Sequence, residues 1–100
     1  MRIGRVYKIV HNQSDLVYVG STFDKLKFRF YNHKHQKPKR PCSIKKYMNK
    51  YGNENFKIIL IKEYNVVDKK HLRTKEQLWI NKLRCINKNN CITFLYQVFY

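Results

Sequence analysis

Apolar and polar residues alternate in two short stretches near the start of the chain, which predicts a pair of β-strands. Residues 5–9 and 17–22 are rich in the β-branched and aromatic residues that favour strands. Between them lies the sequence His-Asn-Gln-Ser-Asp, a cluster of turn-forming residues. The pattern therefore predicts a β-hairpin that holds Tyr7 and Tyr18 near each other. Because tyrosine suits any half-buried pleated surface, the hairpin alone indicates no chemistry.

After the predicted hairpin, apolar residues recur at the spacing of an α-helix. A helix is predicted from a cap at Asp24 to about His35, with Leu26, Phe30 and His33 on its inward side. This inward side joins two large apolar residues to one imidazole. His33 is therefore predicted to face the interior of the protein, with Arg29 just beside it on the helix.

Two more helices and one strand complete the pattern. Ser43 and Gly52 are predicted to start and stop a short helix, and a longer helix is predicted from Asp68 to about Leu83. Between these helices, residues 56–64 are apolar on both faces, which predicts the buried middle strand of the sheet. The order of elements predicts an α/β fold, with a small three-stranded, mostly antiparallel sheet flanked by helices.

The charge of the chain predicts its partner. A length of 100 residues predicts a single domain over residues 1–100, and 22 Lys and Arg against 6 acids give a formal charge of +16. The positive charge is spread along the chain, so the folded body itself attracts a polyanion. We therefore predict binding to DNA, with RNA as an open alternative, and an affinity that falls steeply with salt.

Cysteine usage and hydropathy bear on the compartment. Cys42, Cys85 and Cys91 match no zinc-binding spacing, and the N-terminus shows no secretory signal, so thiols in an intracellular, reducing compartment are predicted. The longest apolar run is too short to span a bilayer. Residues 92–100 are apolar and aromatic, which predicts a closing strand, a segment (residues 94–100) that docks a protein partner or a second copy, or part of a longer fold. The richness in Lys, Asn, Ile and Tyr suits an AT-rich genome of a phage or a large virus.

Glu76 stands out because it falls on the apolar stripe of the last predicted helix, between Leu72 and Trp79. A buried carboxylate is costly unless a charge compensates it. One interpretation is a salt bridge to a lysine, and the other is a ligand for a hard cation such as Mg²⁺. No second acid lies near Glu76 in sequence, which favours one ion over two unless folding brings Asp15 or Glu63 close.

Arg29 and His33 form a second candidate pair, because their i, i+4 spacing places them on one helix face. A guanidinium can hold a phosphate oxygen and offset its growing charge, and an imidazole can relay a proton. The alternative is an ordinary solvated basic face with a half-buried histidine. The pair indicates a catalytic site only in combination with the two tyrosines and Glu76.

Taken together, these residues resemble the GIY-YIG nuclease family, and most of all the nuclease domains of phage and viral homing-type endonucleases. The resemblance covers two tyrosine triplets (5–7 and 18–20), the helical segment 26–33, the turn 50–56 and the segment 76–80. The chain departs from the family pattern in two ways. An arginine occupies the glycine position of the first triplet, and valine replaces the isoleucine of both triplets.

The resemblance implies a divalent-metal-dependent DNA endonuclease that hydrolyses phosphodiester bonds. Tyr7 would contact or deprotonate the attacking water, as a phenolate favoured by nearby positive charge, and Tyr18 would order that water or a phosphate oxygen. Arg29 would bind the scissile phosphate, and His33 would assist proton movement. Glu76 would hold one Mg²⁺ or Mn²⁺ ion that stabilises the leaving 3′-oxygen.

The same resemblance implies that Asn90 supports the site, with Asn87 and Asn89 as alternatives. Two other functions stay open: a non-catalytic basic nucleic-acid-binding module, and a catalytic subunit that needs a DNA-targeting partner. Basic and hydroxyl side chains are predicted to contact nucleic acid, namely Lys8, Ser21, Lys37, Lys39, Arg40, Lys45 and Lys46.

Overall fold

Three strands and three α-helices make up the part of the chain that the computed structural model describes, which is residues 2–35, 44–83 and 85–86. They form one antiparallel sheet with helices on both faces, so the predicted α/β fold is confirmed. A short 3₁₀ turn precedes the last strand. In chain order the elements are β1 (Arg2–His11), β2 (Val17–Thr22), α1 (Leu26–His35), α2 (Ile44–Tyr51), the 3₁₀ turn (Asn53–Asn55), β3 (Phe56–Val66) and α3 (Lys69–Lys82).

Strand β1 lies at the centre of the sheet, whose order is β2-β1-β3. Both neighbours pair with β1 in antiparallel fashion, and Tyr7 lies opposite Gly20 on β2. The prediction that residues 56–64 form the middle strand is wrong, because β3 is an edge strand. Ile59 and Leu60 of β3 are 36% and 43% exposed. An apolar run identifies a strand, but it does not specify the strand's place in the sheet.

The two faces of the sheet carry separate hydrophobic clusters, because successive residues of a strand point to opposite sides. On one face, Val6 packs in a cluster that includes Leu72 and Ile80 of α3. On the other face, Tyr7 packs in a cluster that includes Met48 of α2 and partly buried residues of α1. Helices α1 and α3 therefore approach the sheet from opposite sides, and each brings its own candidate site residues.

Two of the predicted helix ends are confirmed. Asp68 precedes α3 and its carboxylate accepts a hydrogen bond of 2.9 Å from the His71 N–H, which satisfies a donor of the first turn. Gly52 ends α2 with a φ of +91°, a left-handed conformation that glycine adopts without steric cost. Its N–H donates to the Met48 carbonyl at 2.9 Å.

The predicted cap of α1 is wrong. The helix begins at Leu26, and the N–H groups of Phe28 and Arg29 both donate to the Lys25 carbonyl at 3.1 Å. The N–H of Asp24 donates to the Thr22 hydroxyl at 3.0 Å, so Asp24 belongs to the turn that leaves β2. Asp24 is a residue type that often caps helices, but it lies one position too early in the sequence. The predicted start of the helix was therefore displaced.

Within the described part of the chain, no helix is long and apolar enough to cross a membrane. Cys85 is a buried thiol in the cluster beneath α3. The predictions that lie outside the described residues concern Lys37, Lys39, Arg40, Cys42, Ser43, Asn87, Asn89, Asn90, Cys91 and residues 94–100.

Candidate active site

A chain of hydrogen bonds is centred on the hydroxyl of Tyr7. The side chain of Tyr7 is fully buried beneath α1. Its oxygen accepts a hydrogen bond of 3.2 Å from Arg29 Nε and lies 2.8 Å from His33 Nε2. The structure thus brings together three of the side chains that the sequence analysis singled out, and their catalytic roles stay predictions.

Helix α1 supplies two of the three groups because its inward face carries them one turn apart. Leu26 and Phe30 pack against the cluster beneath the helix, and this packing turns His33 toward the sheet, where it is 5% exposed. The imidazole lies edge-on to the ring of Tyr18, with 5.6 Å between ring centroids. The alternative of a solvated face with a half-buried histidine is therefore wrong for His33, and Tyr18 joins the same cluster.

Gly20 makes room for the phenol of Tyr7. It lies directly opposite Tyr7 in the β1–β2 pairing, and a Cβ built on Gly20 would be only 2.5 Å from Tyr7 Cζ. Such a separation is far below van der Waals contact, so only glycine allows the ring to lie over this part of β2. The glycine of the second tyrosine triplet thus has a steric role in the site.

Gly20→Ala is expected to lower the free energy of unfolding by about 1–3 kcal/mol, the usual cost of overpacking a buried position. The phenol of Tyr7 must also shift away from its two hydrogen-bond partners, so any activity of the site should fall with stability. Chemical denaturation of the variant measures the first effect. A variant as stable as the wild type would contradict the steric role.

The charge states of the cluster follow from burial. Burial and the neighbouring Tyr18 raise the pKa of Tyr7 well above its usual value, outweighing the opposite effect of Arg29. Burial and the positive charge of Arg29 lower the pKa of His33 to about 4. Burial works against the charge of Arg29, but its interactions with Tyr7 and Tyr18 leave the pKa of Arg29 raised overall.

At neutral pH the cluster therefore holds a neutral phenol, a neutral imidazole and a charged guanidinium. Arg29 by itself does not offset the effect of burial on the pKa of Tyr7. The expected phenolate, which also relied on the charge of a bound metal ion, stays a prediction. Because Arg29 Nε–H can only donate, the Tyr7 oxygen accepts from it. The Tyr7 hydroxyl can then donate its own proton to His33 Nε2, in the tautomer that carries the imidazole proton on Nδ1.

Glu76 lies on the inward side of α3 and reaches β2. The hydroxyl of Ser21 donates to Glu76 Oε1 at 2.6 Å. Among the residues that the structure describes, the only ion pair joins Arg5 to Glu63 at 3.0 Å, so the salt-bridge interpretation of Glu76 finds no support. The half-buried carboxylate accepts a hydrogen bond from a neutral hydroxyl, and no lysine or arginine of the described residues forms an ion pair with it.

This donor set fits one hard cation and not a cluster of protein ligands. No group of three or more His, Cys, Asp or Glu side chains lies together within the described ranges. Glu63 lies on β3, at the edge of the sheet opposite β2, and forms its ion pair there with Arg5 of β1. A single carboxylate suits Mg²⁺ or Mn²⁺, which complete their shell with water and phosphate oxygens.

The tyrosine cluster and Glu76 meet at β2 from opposite faces of the sheet. Tyr7 lies over Gly20 from the α1 side, and Glu76 contacts the adjacent Ser21 from the α3 side. The two are close enough that the charge of Glu76 contributes to the raised pKa of Tyr7. Sequence reasoning missed the contact between Ser21 and Glu76, since 55 positions separate them and only the fold joins them.

The predicted nucleic-acid contacts within the described residues differ in their surroundings. Lys46 is exposed and Lys8 is half-buried. The ammonium of Lys45 donates to the Lys34 carbonyl near the end of α1, and Ser21 is bound to Glu76. Contact with nucleic acid stays a prediction for all four.

Arg5, which departs from the family pattern, lies apart from the hydrogen-bonded cluster. Its guanidinium binds Glu63 and donates to the Phe23 carbonyl at 3.3 Å. The neighbouring Gly4 contacts α3, because a Cβ on Gly4 would meet a methyl group of Leu72 at 2.5 Å. The arginine in the first triplet therefore leaves the setting of Tyr7 intact.

Comparison with known families bears on this arrangement of residues. The family model described as the GIY-YIG catalytic domain matches residues 3–90 of the chain. The chain belongs to the GIY-YIG family. Family membership confirms the prediction of a nuclease-type enzyme at the level of the family, and GIY-YIG nucleases act on DNA.

Two viral proteins are similar to this GIY-YIG chain over most of its length. The Putative MSV199 domain-containing protein 146R of Invertebrate iridescent virus 6 is 41% identical over 88 residues, covering 87% of this chain and 36% of that protein. The Uncharacterized protein 019R of the same virus is 37% identical over 91 residues, covering 90% and 33%. The predicted viral relation is thereby confirmed. The chain spans about a third of the length of these relatives. No solved structure matches it.

Proposed function

We propose that this GIY-YIG chain is a divalent-metal-dependent DNA endonuclease that hydrolyses phosphodiester bonds. The observation that carries the proposal is the hydrogen-bonded chain from Arg29 through Tyr7 to His33, which faces Glu76 across β2. Phosphodiester hydrolysis needs an acceptor for the proton of the attacking water, a fixed positive charge at the phosphate and a carboxylate that can bind a metal ion. A purely nucleic-acid-binding module has no use for a buried phenol–imidazole pair.

Arg29 would bind the scissile phosphate. Its Nε is used to orient Tyr7, so the terminal nitrogens of the guanidinium are the ones to contact a phosphate oxygen. A guanidinium stays protonated at all physiological pH values, so this positive charge is fixed. Arg29 therefore both positions Tyr7 and offsets the charge that grows on the phosphate during attack.

Tyr7 and His33 would move the proton of the attacking water. The water gives a proton to the Tyr7 oxygen while the Tyr7 hydroxyl proton passes to His33 Nε2, so Tyr7 is neutral before and after the transfer. A phenol whose pKa is raised is a poor resting base, so in this relay the imidazole is the final acceptor. Because the pKa of His33 is about 4, the imidazole would hold the proton only during attack and then release it. Tyr18, packed on the imidazole, would order the water or a phosphate oxygen.

Glu76 would hold one Mg²⁺ or Mn²⁺ ion, with Ser21 orienting its carboxylate. When bound, the ion supplies positive charge to the leaving 3′-oxygen. The hydrogen bond from Ser21 uses one carboxylate oxygen and fixes the direction of the other. The supporting role of Asn90 stays a prediction.

Lowering the pH from 6.5 to 4 is expected to destabilise the fold through His33. The pKa of His33 is about 4 in the folded protein and about 6.5 in the unfolded chain, so in that window the unfolded state alone takes up the proton. The stability contributed by the neutral imidazole is complete above pH 6.5 and is lost as the pH falls to 4.

Unfolding of wild type and His33→Gln at pH 7 and pH 4.5 measures this contribution. The other titrating groups of the chain affect both proteins equally, so the wild type should lose more stability than the variant. Equal losses would show that His33 is not held neutral by the fold.

The metal-dependent part of the proposal is tested with supercoiled plasmid in Mg²⁺, in Mn²⁺ and in EDTA. Nicking or linearisation in either metal, absent in EDTA, is the expected result. Binding without cleavage in any metal would count against the proposal.

A further inference from the structure

The outer face of α1 carries three exposed aromatic rings in a row. Phe28 and Tyr31 are 56% and 59% exposed, and the imidazole of His35 lies 4.2 Å from the Tyr31 ring. Their spacing of i, i+3 and i+7 places all three on one side of the helix, which we call the aromatic stripe. Large exposed apolar groups that form a contiguous patch indicate a binding surface.

The charge around the aromatic stripe selects the kind of partner. Helix α1 contains no acidic residue, and the Lys27 ammonium lies 5.3 Å from the centre of the Phe28 ring. The chain as a whole has a formal charge of +16. Flat π-faces beside fixed cations suit single-stranded nucleic acid, whose bases stack on the rings while its phosphates meet the lysines.

The stripe and the proposed active site share one helix. Arg29 and His33 occupy its inward side, and the aromatic stripe occupies the opposite side. From Phe28 to His35 the helix rises about 10 Å, which matches about three stacked bases. A helix is about 10–12 Å across, so a strand held by Arg29 reaches the stripe within a few nucleotides if it is flexible. A duplex keeps its bases paired and cannot offer their faces in this way.

We propose that the aromatic stripe of Phe28, Tyr31 and His35 binds unpaired bases next to the phosphate held by Arg29. The preferred substrate is then DNA with a single-stranded segment beside the cut site, such as an overhang or a branch. This inference rests on the proposed function for the position of the cut. The stacking itself does not depend on catalysis.

The double variant Phe28→Leu/Tyr31→Leu tests the stripe, because leucine keeps an apolar side chain and removes the π-face. Affinity is measured in EDTA, where no metal-dependent cleavage takes place, for single-stranded DNA, for duplex and for duplex with an overhang. We expect a loss of about 10- to 100-fold for the two DNAs with unpaired bases and no change for the duplex. Both residues are exposed, so the variant should unfold at the wild-type temperature.

Tyr51→Leu is the matched control, since Tyr51 is an exposed ring beside a lysine on α2, at 40% exposure. Its affinities should equal those of the wild type. An equal loss for all three DNAs in the double variant would mean a general effect on charge or folding and would overturn the inference. Unchanged affinities would also overturn it.

The two proposals fail separately. A protein that binds overhangs through the stripe but never cuts in Mg²⁺ or Mn²⁺ would refute the nuclease and keep the stacking surface. If the protein cuts DNA and the double variant has the same DNA affinities as the wild type, the nuclease proposal stands and the stacking surface is refuted.

Discussion

Tyr7→Phe is expected to lower the single-turnover rate of DNA cleavage by about 10²–10⁴-fold, the size expected when a proton-transfer group is lost. The change removes one oxygen and leaves the buried ring in place, so the fold and the affinity for DNA should persist. The lost oxygen accepts the hydrogen bond from Arg29 and lies 2.8 Å from His33 Nε2, to which it would donate in the proposed relay. The rate falls because water then has no path for its proton and Arg29 loses its orientation.

Tyr64→Phe provides the control for this prediction. Tyr64 also loses a hydrogen-bonded hydroxyl, which accepts from Trp79 Nε1 at 2.8 Å, but it lies on β3 away from the cluster. This variant should cleave at the wild-type rate. If Tyr7→Phe cuts as fast as Tyr64→Phe, Tyr7 takes no part in the chemistry.

A double-mutant cycle between Tyr7→Phe and His33→Gln tests whether the two groups act as one relay. Removing either member of a relay disables it, so the double variant should be hardly slower than the worse single variant. Additive losses would mean that Tyr7 and His33 act on different steps.

Glu76→Gln is expected to reduce cleavage at least as much as Tyr7→Phe while leaving DNA affinity nearly unchanged. The amide oxygen can still accept the hydrogen bond from Ser21, so the variant loses charge without losing shape. A neutral amide is a poor ligand for Mg²⁺ compared with a carboxylate. Addition of Mn²⁺ should raise the unfolding temperature of the wild type and not that of Glu76→Gln.

Two variants frame the result for Glu76. Glu63→Gln removes a carboxylate of the exposed ion pair with Arg5 and should cleave normally. Ser21→Ala keeps the charge of Glu76 but frees its orientation, so its metal affinity and its rate should fall between those of wild type and Glu76→Gln. If Glu76→Gln and Glu63→Gln cleave alike at every metal concentration, the metal assignment is wrong.

Features set by local periodicity could be predicted from the sequence. Alternating apolar and polar residues on either side of a turn sequence predicted the hairpin. The i, i+4 spacing placed Arg29 and His33 on one inward face of α1. The position of Glu76 on an apolar helical stripe indicated that its carboxylate faces the sheet. In each case the geometry of a single element decides which way a side chain points.

Features set by the packing of elements could not be predicted in this way. The central place of β1 depends on both partners pairing with it, and an apolar run in β3 does not report that. The hydrogen bond from Ser21 to Glu76 joins distant segments. The raised pKa of Tyr7 depends on how deeply the fold buries its phenol, which a count of nearby cations cannot show.

Incubation of supercoiled plasmid with wild type and Tyr7→Phe in Mg²⁺, at protein concentrations where both bind all of the DNA, tests the central claim most directly. The account predicts nicked or linear product with the wild type, and bound but intact plasmid with Tyr7→Phe over the same time. Equal cutting by the two proteins, or no cutting by a fully bound wild type in either Mg²⁺ or Mn²⁺, would contradict it.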